Sequence, residues 1–174
     1  SSAEIKDLRR IVLSSVRLRP RLLMMLDTFT AGALRVLSRA ERRARGREAA
    51  TIEILDLLAG LVDETESLAA TLLTEFGLDP NRVLDVLGRL HEIPDDFADD
   101  SPVAQSVELR SLLNDAAHKA RNFDRSRAVG TEHLLSGLRE NEDAVARLIK
   151  AGVDLPGLLE RLDEEAIGTA EPIP

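Results

Sequence analysis

The chain has 174 residues, 23 Lys+Arg against 31 Asp+Glu for a net charge of −8, four Phe, and no Cys, Trp or Tyr. A composition rich in Leu, Ala, Arg and Glu favours helices over a sandwich or barrel, and the lack of Cys excludes a disulfide framework or a thiolate metal site. No apolar run approaches the roughly 20 residues that span a bilayer, and Leu22 to Leu26 is too short for the core of a signal peptide, so a soluble, cytoplasmic protein with no membrane partner is expected.

The charge is unevenly spread. Residues 1–47 hold 12 Lys+Arg against 4 Asp+Glu, and residues 48–174 hold 11 against 27. An arginine-rich front can serve nucleic acid, which defines an alternative function for this chain: a nucleic-acid-associated regulator. The competing account is a set of solvated helix faces, or a front lying against the acidic remainder. The second is preferred, because the arginines interleave with apolar positions and no aromatic residues accompany them for base stacking.

In chain order, residues 4–18 read as a helix with Ile5, Leu8, Val12 and Val16 at helical spacing, interrupted by Pro20. Residues 1–26 have no later counterpart and form a helical extension. Phe29, Ala33, Val36, Leu37, Ala40 and Ala44 trace one stripe of a helix that ends near Gly46. Residues 51–62 give a second helix, and Leu68, Ala69, Leu72, Leu73 and Phe76 a third, stopped by Gly77 as a C-terminal cap. Asp79-Pro80 starts a fourth, with Val83, Leu84 and Leu87 facing inward. Residues 91–101 are an acidic linker, after which Ser101-Pro102 restarts the pattern.

The restart is a repeat. Leu109, Leu112, Leu113, Ala116 and Ala120 reproduce Ala33, Val36, Leu37, Ala40 and Ala44 at a constant offset of 76. Gly130-Thr131-Glu132-His133-Leu134-Leu135 has a degraded copy in Thr51-Ile52-Glu53-Ile54-Leu55 at an offset of 80. In the later copy Thr131 is placed to cap its helix and Glu132 to complement the helix dipole. Val145, Leu148 and Ile149 supply the face of the next helix, and Gly152-Val153-Asp154 repeats Gly77-Leu78-Asp79 at 75. Leu158, Leu159 and Leu162 answer Val83, Leu84 and Leu87. Two four-helix units follow, at 27–90 and 102–166, each too small to bury much apolar surface alone, so they should close on each other with approximate two-fold symmetry. Residues 167–174 read as a tail or linker stub.

These residues resemble a known family. Gly-Thr-Glu-His-Leu-Leu-x-Gly-Leu at 130–138, preceded by Leu112-Leu113-Asn114-Asp115-Ala116 and Ala120-Arg121, is similar to the Clp repeat, which occurs in tandem in the N-terminal domain of Clp/Hsp100 unfoldases. Phe29-Thr30 and Gly152-Val153-Asp154 resemble the ClpC type. The resemblance implies an all-α fold of two pseudo-symmetric repeats without catalytic activity. Such a domain sits on an ATPase ring, or stands alone, and receives protein substrates or adaptors for unfolding and proteolysis. It implies a Clp ATPase or protease complex as a partner. It also implies that Glu132, with Thr131, helps hold phosphorylated arginine, a carboxylate taking the guanidinium and helix N–H groups the phosphate. In the first copy the positions matched are Thr51 and Ile52, and Ile52 cannot serve, so at most one such pocket is expected. Simple capping of the helix by Thr131 and Glu132 is the competing account of the same residues.

Other chemistry finds no support in the sequence. No Gly is followed by Lys, so no phosphate loop of the Gly-x-x-x-x-Gly-Lys type is present. His91, His118 and His133 lack the pairing a zinc site needs. Asp95-Asp96 and Asp99-Asp100 fall in the linker, away from any fixed geometry. The expectation is a binding module with no cofactor, no metal and no catalytic residues, monomeric in isolation.

Overall fold

Leucine and alanine at helical spacing, with hydroxyl or amide residues at the helix starts, dictate the local structure in a computed structural model of the chain. It describes residues 29–79, 82, 103–123 and 128–169. The extension at 1–26, the fourth helix of the first unit, the acidic linker with His91, and the end of the tail lie outside these residues.

Helix α1 (Ala31–Gly46) starts where the Thr30 side chain accepts the N–H of Ala33 at 3.1 Å. Strand β1 (Thr51–Ile52) leads into α2 (Ile54–Asp63), and α3 (Leu68–Glu75) is capped by Ser67, whose side chain accepts from Ala70 N–H. In the second half, β2 (Ala104–Gln105) precedes α4 (Val107–Phe123). Helix α5 (Thr131–Gly137) runs into a 3-10 turn at Leu138–Glu140. Helix α6 (Glu142–Lys150), capped by Asn141, and α7 (Leu155–Thr169) complete the order. The fold is helical, as the composition implies. The restart expected at Ser101-Pro102 lies outside the described residues; within them the Ser106 hydroxyl takes the N–H of Leu109 at 3.1 Å, as Thr30 does for Ala33, and α4 begins at Val107.

The helices bury one continuous core. Among the described residues twelve leucines are essentially inaccessible, including Leu34, Leu57, Leu61, Leu109, Leu134 and Leu158, and each such burial is worth about 1.5–3 kcal/mol. Ala33, Ala40, Ala44, Ala116 and Ala120 keep α1 and α4 slim where neighbouring helices cross. Among the described residues Phe29 is the buried aromatic residue of this core, with Phe76 packed against it. The face of α6 departs from the expected one. Ala144 and Leu148 are buried, but Ile149 is 57% exposed, because it lies one position around the helix from the stripe that continues into Ala151.

The halves are joined reciprocally through main chain. Thr51 and Ile52 pair in parallel with Ala104 and Gln105, and Phe29 bridges Val129. The Thr30 N–H donates to Val129 O at 2.9 Å, and the Ser106 N–H donates to Ile52 O at 3.0 Å. These two bonds exchange under a two-fold operation, since Ser106 and Val129 answer Thr30 and Ile52. The short sheet therefore lies between the repeats and inside neither.

A second reciprocal contact sits at the ends of α3 and α6. Gly77 and Gly152 have φ of +100° and +93°, and each closes a Schellman motif, with Leu78 N–H to Leu73 O at 2.9 Å and Val153 N–H to Leu148 O at 3.1 Å. The Asp154 N–H donates to Phe76 O at 2.8 Å, and the Asp79 N–H reaches Ala151 O at 3.4 Å. The glycines face each other: a Cβ on Gly77 would stand 2.7 Å from the carbonyl oxygen of Gly152, and one on Gly152 would stand 3.2 Å from that of Gly77. Alanine at either position meets both the positive φ, worth about 1 kcal/mol, and the opposing backbone. Gly77→Ala is expected to cost about 2 kcal/mol or more and Gly152→Ala less, an order that urea unfolding of the two variants measures.

Candidate functional site

The second repeat's motif opens at Gly130, which occupies the N-cap position with extended backbone, so Thr131 is the first helical residue and not the cap. The Thr131 hydroxyl is spent elsewhere. It is buried and accepts the N–H of Ala69 at 3.2 Å, serving the first turn of α3 in the other repeat. Its expected capping of α5 is thereby corrected, because the inter-repeat contact claims its oxygen. His133 supplies the local cap: its Nδ1 accepts the Gly130 N–H at 2.9 Å. That bond leaves Nδ1 unprotonated, so the 3.4 Å approach of Glu132 Oε1 to the same nitrogen is a contact between two acceptors and not a charged pair. The Glu132 carboxylate folds back over Gly130, where a Cβ would meet its oxygens at 2.5 Å, and stays partly open to solvent.

The first repeat's counterpart is not at Thr51 and Ile52. Those residues form β1, and Glu53 occupies the position equivalent to Gly130. The Glu53 N–H donates to the Asp56 carboxylate at 2.8 Å, as Gly130 N–H does to His133. Leu57, Leu58, Gly60 and Leu61 then answer Leu134, Leu135, Gly137 and Leu138 at an offset of 77, not 80. The packing confirms this register. A Cβ on Gly60 would fall 2.7 Å from Val36 O, and one on Gly137 would fall 3.0 Å from Leu112 Cγ, with Val36 and Leu112 themselves equivalent in α1 and α4. Ile54 and Leu55 therefore stand where Thr131 and Glu132 stand, and neither can hold a guanidinium.

Asp56 gathers Arg43 of α1 and Arg47, the residue that follows the helix. Arg47 hydrogen-bonds both its oxygens, and the Nε of Arg43 lies 3.2 Å away in a charge contact without hydrogen-bond alignment. Burial pulls the Arg43 guanidinium below its ordinary range against the opposing pull of Asp56, whereas the hydrogen bond to Asp56 raises Arg47. Arg35 and Arg39 converge on Glu64 at 3.0 and 3.1 Å. These arginines are engaged by carboxylates of their own domain, which favours the intramolecular account over phosphate contacts for the described part of the basic front. His118 lies on the exposed face of α4, 2.9 Å from the Asn122 amide.

One groove of about 350 Å³ opens beside α5. Its floor includes Ile54, Leu112 and Ala116, and its rim carries Glu108, Asp115 and Glu140. Sequence patterning did not single out this groove; the signal was present in the offset of 76, which sets Ser111 and Asp115 opposite Arg35 and Arg39. Among the described residues no group of His, Asp and Glu is arranged to hold a metal, and no helix is long and apolar enough to cross a membrane.

The sequence model of the Clp repeat (R) N-terminal domain matches residues 28–126. The chain belongs to this family. The ATP-dependent Clp protease ATP-binding subunit ClpC of Staphylococcus aureus (strain USA300) is 33% identical over 136 residues, covering 76% of this chain and 16% of the relative. ClpC of Staphylococcus epidermidis is 32% identical over 145 residues, with the same coverage. The chain thus spans about a sixth of the length of these curated relatives. Among solved structures, the Hsp104 N-terminal domain from Candida albicans matches with a TM-score of 0.63 at 19% identity, over 79% of this chain and 90% of that one. A structure from a malarial protein secretion system matches at 0.64 and 18%, over 80% and 95%. At such identities these structures establish the shared Clp repeat fold alone.

Two substitutions test the local chemistry. Thr131→Val keeps the shape but orphans the buried Ala69 N–H, and should cost about 1–2 kcal/mol in urea unfolding. Asp56→Ala strips α2 of its cap and leaves Arg43 and Arg47 facing each other, with an expected loss of about 2–4 kcal/mol in the same measurement.

Proposed function

We propose that this chain is a non-catalytic docking domain that binds protein substrates or adaptors for ATP-dependent unfolding and proteolysis. It acts as the N-terminal part of a Clp/Hsp100 ATPase or as a free-standing accessory to one. The observation that carries this reading is the tandem Clp repeat itself: two halves that spend polar groups of their motifs on closing against each other and leave an open groove beside α5. The relatives are named as ATP-binding subunits of a Clp protease, and the chain spans only 16% of the first of them, so ATP hydrolysis is assigned to no residue here.

Within this reading, Glu132 is the residue offered for phosphorylated arginine. Its carboxylate is the accessible charged group at the start of α5, and it would pair with the guanidinium. Thr131 accepts the Ala69 N–H and so also ties the two repeats together, while its O–H remains a donor that can serve the phosphate. Ile54 and Leu55 leave the first repeat without an equivalent.

The test mixes the purified chain with a ClpC-type unfoldase, with adaptor proteins, and with a peptide carrying phosphoarginine, and reads binding by calorimetry. Binding to at least one with a dissociation constant below about 100 μM is expected, a free energy near −5.5 kcal/mol. Glu132→Gln should weaken the phosphoarginine peptide by about tenfold without changing the unfolding midpoint. Indifference to all three ligands would leave the fold standing and remove the role.

A further inference from the structure

The groove beside α5 has a twin in the first repeat that is already filled. At the offset of 76 that relates α1 to α4, Ser111, Asp115 and Lys119 correspond to Arg35, Arg39 and Arg43. At the offset of 77 that relates α2 to α5, His133, Gly137 and Glu140 correspond to Asp56, Gly60 and Asp63. In the first repeat this region holds the chain's own guanidinium groups, Arg35 and Arg39 at 3.0 and 3.1 Å from Glu64 and Arg43 at 3.2 Å from Asp56.

In the second repeat the same framework is left open. Ser111 is short, and Asp115 carries the opposite charge to its arginine counterpart. The caps of α3 and α6, Ser67 and Asn141, are 74 residues apart, so the connection entering α6 is three residues shorter, and at the offset of 77 Asn141 stands where Glu64 follows Asp63, an amide in place of the carboxylate. What remains is the groove of about 350 Å³, with Leu112 and Ala116 buried in its floor and Glu108, Asp115 and Glu140 exposed on its rim with Lys119. Among the described residues none of these four charged side chains makes an ion pair. Val107 stands 76% exposed at the mouth.

We propose that the second-repeat groove receives an unmodified arginine side chain from a partner polypeptide, in the place its twin fills from within. The aliphatic stem lies on Leu112 and Ala116, and the guanidinium sits among Asp115, Glu140 and Glu108. Three carboxylates against one ammonium select a cation, and a planar fork satisfies two carboxylates at once where a lysine ammonium acts as a point charge. An aliphatic residue next to the arginine covers Val107. The occupant is therefore an arginine-bearing segment with an aliphatic neighbour. This inference rests on the docking reading above and supplies a ligand for a face that does not use Glu132.

The test titrates a fluorescein-labelled nonapeptide with a central Leu-Arg-Leu into the full chain, alongside its Arg→Gln analogue and its phosphoarginine form, with anisotropy and amide-resolved NMR as readouts. The arginine peptide should bind about tenfold or more tighter than the glutamine one, and shift the amides of Ser111, Leu112, Asp115 and Glu140. The Asp115→Asn, Glu140→Gln double variant changes only exposed side chains. It should weaken the arginine peptide by about tenfold and leave the phosphoarginine form unchanged. Ser111→Arg restores the first repeat's arginine and should close the groove to the peptide, with the circular dichroism spectrum unaltered. Equal binding of the arginine and glutamine peptides overturns the proposal, as does indifference to the double variant, or shifts confined to Gly130 to Glu132. Binding of the phosphoarginine form alone overturns it too, yet keeps the docking reading. If no peptide binds the groove proposal falls, and the unfoldase and adaptor titrations decide the docking reading separately.

Discussion

The closure of this domain depends on main-chain hydrogen bonds given and returned between two copies of one unit. Thr30 N–H to Val129 O is matched by Ser106 N–H to Ile52 O, and Asp154 N–H to Phe76 O by Asp79 N–H to Ala151 O. Each bond places the start of a helix or the end of one against its counterpart, so the helices inherit their crossing from the backbone. Gly60 against Val36 and Gly137 against Leu112 then set how closely the second helix of each unit approaches the first. The leucine core fills the space that these contacts define. Its burial supplies most of the favourable free energy, while the polar seam selects one arrangement from those the leucines alone would permit.

On this shared frame the two copies solve the same local problem with different chemistry. Both second helices need an acceptor three residues inside for the N–H at their start. Asp56 provides it with a carboxylate that also collects Arg43 and Arg47, whereas His133 provides it with a neutral ring nitrogen. The choice propagates outward. A buried carboxylate demands cations, and α1 supplies a ladder of arginines across its face; a neutral imidazole demands none, and α4 carries Ser111 and Asp115 there instead. One copy is thus packed with its own charged side chains, and the other presents an acidic hollow.

Much of this was legible in the sequence, and the failures have definite causes. The stripes Ala33 to Ala44 and Leu109 to Ala120 announced the duplication because a buried helix face tolerates only small and aliphatic residues. Gly77 was readable as a cap because a left-handed residue after an apolar run is nearly always glycine. The second helices were misaligned by three residues, because the matching letters Thr51 and Thr131 do different work: one lies in β1 and the other caps α3 from across the interface. The equivalent residues, Asp56 and His133, share a hydrogen bond but no chemistry that a string comparison sees. Ile149 was placed inward by its hydrophobicity, although the stripe Ala144, Leu148, Ala151 turns it to solvent. The groove was legible only as a difference between the copies, a set of arginines present in one and missing from the other, which matching the repeats by their similarities passes over.

The meeting of Gly77 and Gly152 has an implication for how such a domain changes over time. Contact there is between bare backbones, and the surrounding seam is written in amide and carbonyl groups that every residue but proline carries. Side-chain turnover on the outer surfaces therefore leaves the join undisturbed. One half can fill its own hollows while the other leaves them open, and the body that holds them keeps its shape throughout.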